Sequence, residues 1–154
     1  MKGLKTVVFG ITVLAVLAFA GVSAGVASSG SSARPAAVAS GSSALGRLIV
    51  DGRGHTLYLF EKDRHGMSAC SGVCLAYWPP LLTSRMATAT KGAKPSLLGS
   101  IRRADGTRQV TYAGHPLYLF SGDTRRGQTN GEGLHDFGAG WYALTPAGKK
   151  IDRD

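Results

Sequence analysis

The chain has 154 residues, with 18 Lys and Arg against 9 Asp and Glu, and only 2 Cys. That length leaves room for one compact domain and excludes a dinucleotide domain paired with a substrate domain. A charged fraction of 18% alongside 22 Gly excludes a long charged helix or coiled coil.

The first predicted element is an export signal over residues 1–24. Met1 to Lys5 carries two lysines, Thr6 to Val22 runs 17 residues without a charge, and Val22-Ser23-Ala24 reads as a small-residue cleavage site, with Ala18-Phe19-Ala20 as an earlier option. A run of that length stands at the lower limit for a permanent membrane span, so cleavage is expected. The expected location is secreted or extracytoplasmic, the alternative being a membrane tether through an uncleaved N-terminal segment. No Cys lies near the cleavage region to carry a lipid. Residues 25–44 hold seven Ser, six Ala and three Gly. Such a stretch buries too little apolar surface to offset chain entropy and is predicted to be a disordered linker. Folding is expected to begin near Leu45. Without Lys2 and Lys5, 16 basic residues face 9 acidic ones, a net charge of about +7. They are scattered, which suits weak attraction to anionic envelope polymers or a membrane surface and offers no reading element for nucleic acid.

A repeat dominates the domain predicted over residues 45–148. Gly54-His55-Thr56-Leu57-Tyr58-Leu59-Phe60-Glu61-Lys62-Asp63 returns as Gly114-His115-Pro116-Leu117-Tyr118-Leu119-Phe120-Ser121-Gly122-Asp123, with seven of ten positions identical. A glycine follows each Asp (Gly66, Gly127), and Tyr77-Trp78 and Trp141-Tyr142 close the two copies. Two units follow, about 45–82 and 101–146. Each reads as β. Leu48 to Val50 leads through Asp51-Gly52 into His55 to Phe60, and Gln109 to Tyr112 leads through Ala113-Gly114 into His115 to Phe120, both hairpin signals. A further hairpin is expected around Asp105-Gly106. In Leu-Tyr-Leu-Phe, alternation sends Leu57 and Leu59 to one face and Tyr58 and Phe60 to the other, so the strand should be buried on both sides. Pro116, lacking an N–H, belongs at a strand start or bulge. No stretch after residue 24 shows a helical period. The expected fold is mostly β, two pseudo-symmetric β-hairpin repeats in one small domain.

The constellation Tyr-x-Phe-x-x-Asp, present as Tyr58, Phe60, Asp63 and as Tyr118, Phe120, Asp123, resembles a bacterial family of secreted repeats and predicted lipoproteins of unknown function with a Y-x4-D motif. Further similarity lies in Cys70-Ser71-Gly72-Val73-Cys74 with Trp78-Pro79-Pro80-Leu81, in Arg103-Ala104-Asp105-Gly106, and in Gly127-Gln128-Thr129-Asn130-Gly131. The resemblance implies an exported, envelope-associated, β-rich repeat protein and supplies no catalytic residues. The chain departs from lipidated members in lacking a cysteine for the lipid.

The motif residues read first as structural. Each Asp can accept backbone N–H bonds in the turn that follows it, while each Tyr ring packs inside with its hydroxyl seeking a polar partner, the Asp of its own copy being one option. The functional alternative is a cleft shared by the two Tyr–Asp pairs. Cys70 and Cys74, exported and with three residues between them, read as a disulfide closing a small loop. The alternative is a copper or thiol-redox site on Cys70 and Cys74, completed by His65 and Met67, with His55 near in sequence, because soft thiolates suit Cu(I). His55 and His115 hold equal repeat positions and read as strand-edge residues; His65 and His135 read as solvated. No Gly-x-Ser-x-Gly elbow, His-Glu-x-x-His or phosphate-cradling loop occurs, so no enzyme is indicated. The leading reading is a non-enzymatic binding or structural module of the envelope. It needs no cofactor, and Tyr77, Trp78, Trp141 and Tyr142 are its candidate binding aromatics, with core packing at the repeat junction the preferred reading for at least half of them.

Overall fold

The protein is described from a computed structural model covering Gly3 and residues 35–151. The export signal and residues 25–34 of the expected linker lie outside the described residues. From Pro35 onward the chain belongs to one compact unit, Ser32–Asp154.

The elements are β1 (Ala37–Ser43), β2 (Gly46–Asp51), β3 (Tyr58–Phe60), a single helical turn α1 (Cys74–Tyr77), β4 (Thr88–Thr90), β5 (Leu98–Arg102), β6 (Arg108–Tyr112), β7 (His115–Pro116), β8 (His135–Asp136) and β9 (Ala139–Ala143). They form three small sheets, ordered β2-β1-β4, β3-β9-β8 and β5-β6-β7. The protein is mostly β, as the alternation and turn signals predict, and Pro116 sits in the two-residue β7 after the Ala113-Gly114 turn.

One boundary is corrected. The linker expected over residues 25–44 contains β1, which pairs antiparallel with β2 from Val38↔Asp51 to Ser43↔Gly46. Its small side chains are what the site requires. A Cβ on Gly41 would stand 2.8 Å from Val50 Cγ1, and Val38 and Ala39 are buried. The apolar surface covering β1 comes from β2 and β4, so local composition understates its burial. Folding begins at least eight residues before Leu45, at Ala37.

The repeats meet on a pseudo-twofold axis. Tyr58 N–H donates to the Tyr118 carbonyl at 2.9 Å and Tyr118 N–H donates to the Tyr58 carbonyl at 3.0 Å. Around this exchange the closing segments cross over. Val110 N–H of the second repeat donates to Leu81 O of the first, and Ile49 N–H of the first donates to Leu144 O of the second. Likewise Glu61 N–H reaches Gly140 O, and Ser121 N–H reaches Tyr77 O. Each hairpin therefore takes its last strand partner from the other repeat, and neither copy satisfies its own backbone.

The two faces of the Leu-Tyr-Leu-Phe runs enter two clusters. Leu57, Leu59 and Leu117 join Val38, Ile49, Val110 and Tyr112 in one, while Tyr58, Phe60 and Tyr118 join Trp78, Trp141 and the two cysteines in the other.

Candidate functional site

The motif residues form a reciprocal lock. Tyr58, fully buried, donates its hydroxyl to Asp123 Oδ2 at 2.5 Å, and Tyr118 donates to Asp63 Oδ2 at 3.0 Å. The pairing within one copy that the sequence offered is thus corrected: each Tyr bonds the Asp of the other copy. The remaining carboxylate oxygen of each Asp holds its own loop, Asp63 Oδ1 accepting the Ala69 N–H at 2.7 Å and Asp123 Oδ1 the Asn130 N–H at 2.9 Å. Burial first, and the neighbouring carboxylate after it, push both phenols well above the usual tyrosine range. Burial also raises Asp63 to about 6, outweighing the Ala69 N–H, the Tyr118 hydroxyl, Arg103 and Arg64, which all act to lower it.

The tryptophans are core. Trp78 and Trp141, one from each repeat, stack with centroids 3.9 Å apart and planes 6° from parallel, and both are fully buried. Phe60 stacks on Trp141 at 4.0 Å, and Tyr58 and Tyr118 meet Trp78 and Trp141 edge-on at 5.5 and 5.1 Å. Of the two readings the sequence offered, binding is thereby corrected to core packing for both tryptophans, since each indole is enclosed by the rings of the two repeats. Of the other candidates, Tyr77 is 53% exposed, and Tyr142 is half-buried beneath Lys150 Nζ, 4.3 Å from its ring centre.

The twofold is broken in its polar content. Ile49 and Val110 are equivalent by their hydrogen bonds, which equates Leu48 with Gln109. Both are fully buried, yet Gln109 Nε2 donates to Leu117 O at 2.9 Å and its Oε1 accepts from Arg103 Nη1 at 2.6 Å. Arg103 also donates to Ser68 Oγ and to the Cys70 carbonyl, each at 2.8 Å. Ser68 Oγ lies 2.6 Å from the Tyr118 hydroxyl, so a chain of bonds runs from a buried guanidinium to the Asp63 carboxylate. Sequence reasoning missed this network. Arg103 enters there only within the Arg103-Ala104-Asp105-Gly106 segment and Gln109 only as the start of a hairpin strand, and Gln109, inside the β6 run Arg-Gln-Val-Thr-Tyr, gives a faint signal of a buried polar group.

Cys70 and Cys74 form the expected disulfide, with Cα atoms 5.5 Å apart and both residues buried. Met67 is 64% exposed and His65 sits at φ 52° in an exposed loop. Among the described residues no three His, Cys, Asp or Glu side chains gather as a metal site. His55 Nδ1 lies 3.5 Å from Asp51 Oδ2 across the β2 turn, and His135 is exposed in β8.

One cleft draws charged side chains from both repeats. Glu61, Asp63 and Arg64 of the first copy, His115 of the second, and Lys149 and Lys150 just after it line a space of about 510 Å³. Lys150 Nζ pairs with Glu61 Oε1 at 2.9 Å, and Arg64 donates to the Glu61 and Asp63 carbonyls. Partial burial holds the His115 imidazole below its ordinary pKa. The cleft can present positive charge, with one carboxyl, Asp63, poised to lose its own charge in mildly acid solution.

The fold defines a class of protein, a two-repeat β module whose copies interlock and whose first copy carries a disulfide-closed loop. The chain belongs to the Lipoprotein_15 family, described as a secreted repeat of unknown function, whose family model matches residues 40–82 and 99–145. No curated protein and no solved structure matches it. Among the described residues no helix is long and apolar enough to cross a membrane.

Proposed function

We propose that this secreted repeat protein is a binding module that engages an anionic polymer of the cell envelope through the cleft of Arg64, His115, Lys149 and Lys150. The observation that carries this reading is the convergence of those side chains, from both repeats, on one space. Three permanent cations there face two carboxylates, Glu61 and Asp63. Protonation of Asp63 near pH 6 raises the local net charge from +1 to +2, so anion affinity should increase on acidification. The excess of basic over acidic residues, about +7 without Lys2 and Lys5, supplies the longer-range attraction.

Retention of the protein on dextran sulfate, against neutral dextran and against vesicles of anionic lipid, tests this reading. Binding to the polyanion should weaken with salt and fall about fivefold in the double variant Arg64→Glu, Lys149→Glu, while Arg125→Glu, Arg126→Glu, whose residues do not line the cleft, changes it little. Equal loss in the two double variants would leave only diffuse charge attraction and sink the cleft reading. The copper or thiol-redox alternative requires Cys70 and Cys74 as thiolates; free-thiol titration followed by Cu(I) addition under reducing conditions tests it separately.

A further inference from the structure

We propose that the groove between β4 and β5 docks an extended acidic peptide segment of another extracytoplasmic protein by adding it as a strand. Both walls are sheet edges. Among the described residues, in the order β2-β1-β4 no strand pairs with the far side of β4, and in the order β5-β6-β7 none pairs with the far side of β5. Those two free sides line the same groove, about 650 Å³, with Ala89 on one wall and Leu98 and Ser100 on the other.

The register fixes which main-chain groups face it. Ala113 N–H donates to Leu97 O and Arg103 N–H donates to Thr107 O, so in the β5–β6 ladder the odd positions 97, 99, 101 and 103 bond to β6. The amide and carbonyl of Ser100 therefore point away from β6. On the other wall, Thr88 N–H donates to Ala36 O, which places Thr88 and Thr90 toward β1 and turns the main chain of Ala89 outward. β5 is five residues long, about 17 Å, enough to pair a five-residue strand.

A row of amides and carbonyls at strand spacing complements another peptide main chain; lipid headgroups and glycans carry no such row. Charge selects the side chains. Arg85 and Arg108 line the groove and, among the described residues, no carboxylate does, so acidic residues on the incoming strand are favoured. Met86, 89% exposed at the groove mouth, offers an unbranched, polarizable surface that adapts to varied neighbours. The occupant is chemically distinct from the polymer assigned to the cationic cleft, and the two proposals stand or fall separately.

The test uses the full chain and a fluorescein-labelled decapeptide of alternating Thr and Glu, with three comparisons: a Thr/Lys counterpart, a Thr/Glu peptide N-methylated at alternate residues, and the variants Ser100→Pro and Arg85→Glu, Arg108→Glu. Fluorescence anisotropy should show the Thr/Glu peptide binding and the Thr/Lys peptide not. N-methylation should weaken binding about tenfold, because it removes main-chain donors from one edge of the strand. Ser100→Pro should do the same while the thermal melt stays within a few degrees, since that N–H is not used by β6. The double charge reversal should exchange the peptide preference. Undiminished binding of the N-methylated peptide, or no binding of the Thr/Glu peptide, overturns the proposal. So does a concentration-dependent dimer that Ser100→Pro abolishes, which would seat a second copy of the chain in the groove.

Discussion

The Tyr58 hydroxyl donates to Asp123 Oδ2 at 2.5 Å, across 65 residues and between the two repeats. With its mirror, Tyr118 to Asp63, this bond makes the Tyr-x-Phe-x-x-Asp motif a device for joining copies. Sequence proximity would pair Tyr58 with Asp63. A double-mutant cycle on Tyr58→Phe and Asp123→Asn should therefore return a coupling of about 1–2 kcal/mol, and one on Tyr58→Phe and Asp63→Asn a much smaller value. Urea unfolding measures both, and the reverse ranking would restore the local pairing.

Asp63 gives the stability curve an unusual sign. Its folded-state pKa, about 6, lies above the unfolded value near 3.8. Between those values the folded protein binds more protons than the unfolded chain, so this contribution is present in full below about pH 4 and is lost as pH rises through about 6. Asp63→Asn removes the titration. The melting temperature of the wild type, taken as a difference from Asp63→Asn, should therefore rise on going from pH 7 to pH 4. A fall over that range would mean that the hydrogen bonds and the Arg103 charge outweigh burial.

Much of this architecture is legible in the sequence, and the limits are physical. The Leu-Tyr-Leu-Phe alternation assigns Leu57 and Tyr58 to different clusters because a strand admits only two side-chain directions. The turns at Gly114 and Asp105-Gly106 follow from their residue types, whereas the positive φ of Ala113 does not. The crossing of the copies is not legible, since partners of identical chemistry, Asp63 and Asp123, are available locally and remotely to the same Tyr. β1 escapes detection because a strand filled with Ala, Ser and Gly has the composition of a linker; only its contact with Val50 shows that small side chains are needed there. Which of the four aromatics are core is not legible until the mutual stacking of Trp78 and Trp141 is seen. The charged cleft escapes for a related reason: Arg64 and Lys149 are 85 positions apart, and nothing local in either segment announces the other.

The exchanged closing segments predict how the chain behaves when cut. Fragments 35–83 and 84–151 each lack the strand partner that the other carries, Leu81 for Val110 and Leu144 for Ile49. Neither should show a cooperative melt alone, while an equimolar mixture should recover the β circular-dichroism signal of the intact chain. A fragment that folds as a monomer would show that each repeat closes on itself.

The Cys70–Cys74 loop is small, and chain-entropy scaling gives its disulfide about 2 kcal/mol of stabilisation. Arg103 reaches this loop through the Cys70 carbonyl, a main-chain group that survives replacement of the sulfur. The double variant Cys70→Ala, Cys74→Ala should therefore melt several degrees lower yet keep the wild-type near-ultraviolet signal of the stacked tryptophans. Loss of that signal would show that the disulfide sets the aromatic packing as well as adding to it.

Gly131 meets three rings of that aromatic cluster at once. A Cβ there would stand 2.8 Å from the Trp78 ring, 3.0 Å from Tyr58 Cζ and 3.1 Å from Phe120 Cγ, and its N–H approaches the Tyr58 hydroxyl at 3.4 Å. Rings from both repeats press on this one backbone atom, and Trp78 is held in turn by its stack on Trp141, so no single ring can withdraw alone. Gly131→Ala should cost about 1–3 kcal/mol by overpacking, and it should weaken the Tyr58–Asp123 bond by displacing the phenol. In chemical denaturation the loss should be smaller in a Tyr58→Phe background, where the hydroxyl is already gone. Full additivity of the two substitutions would mean that the added methyl group acts on the tryptophan stack alone.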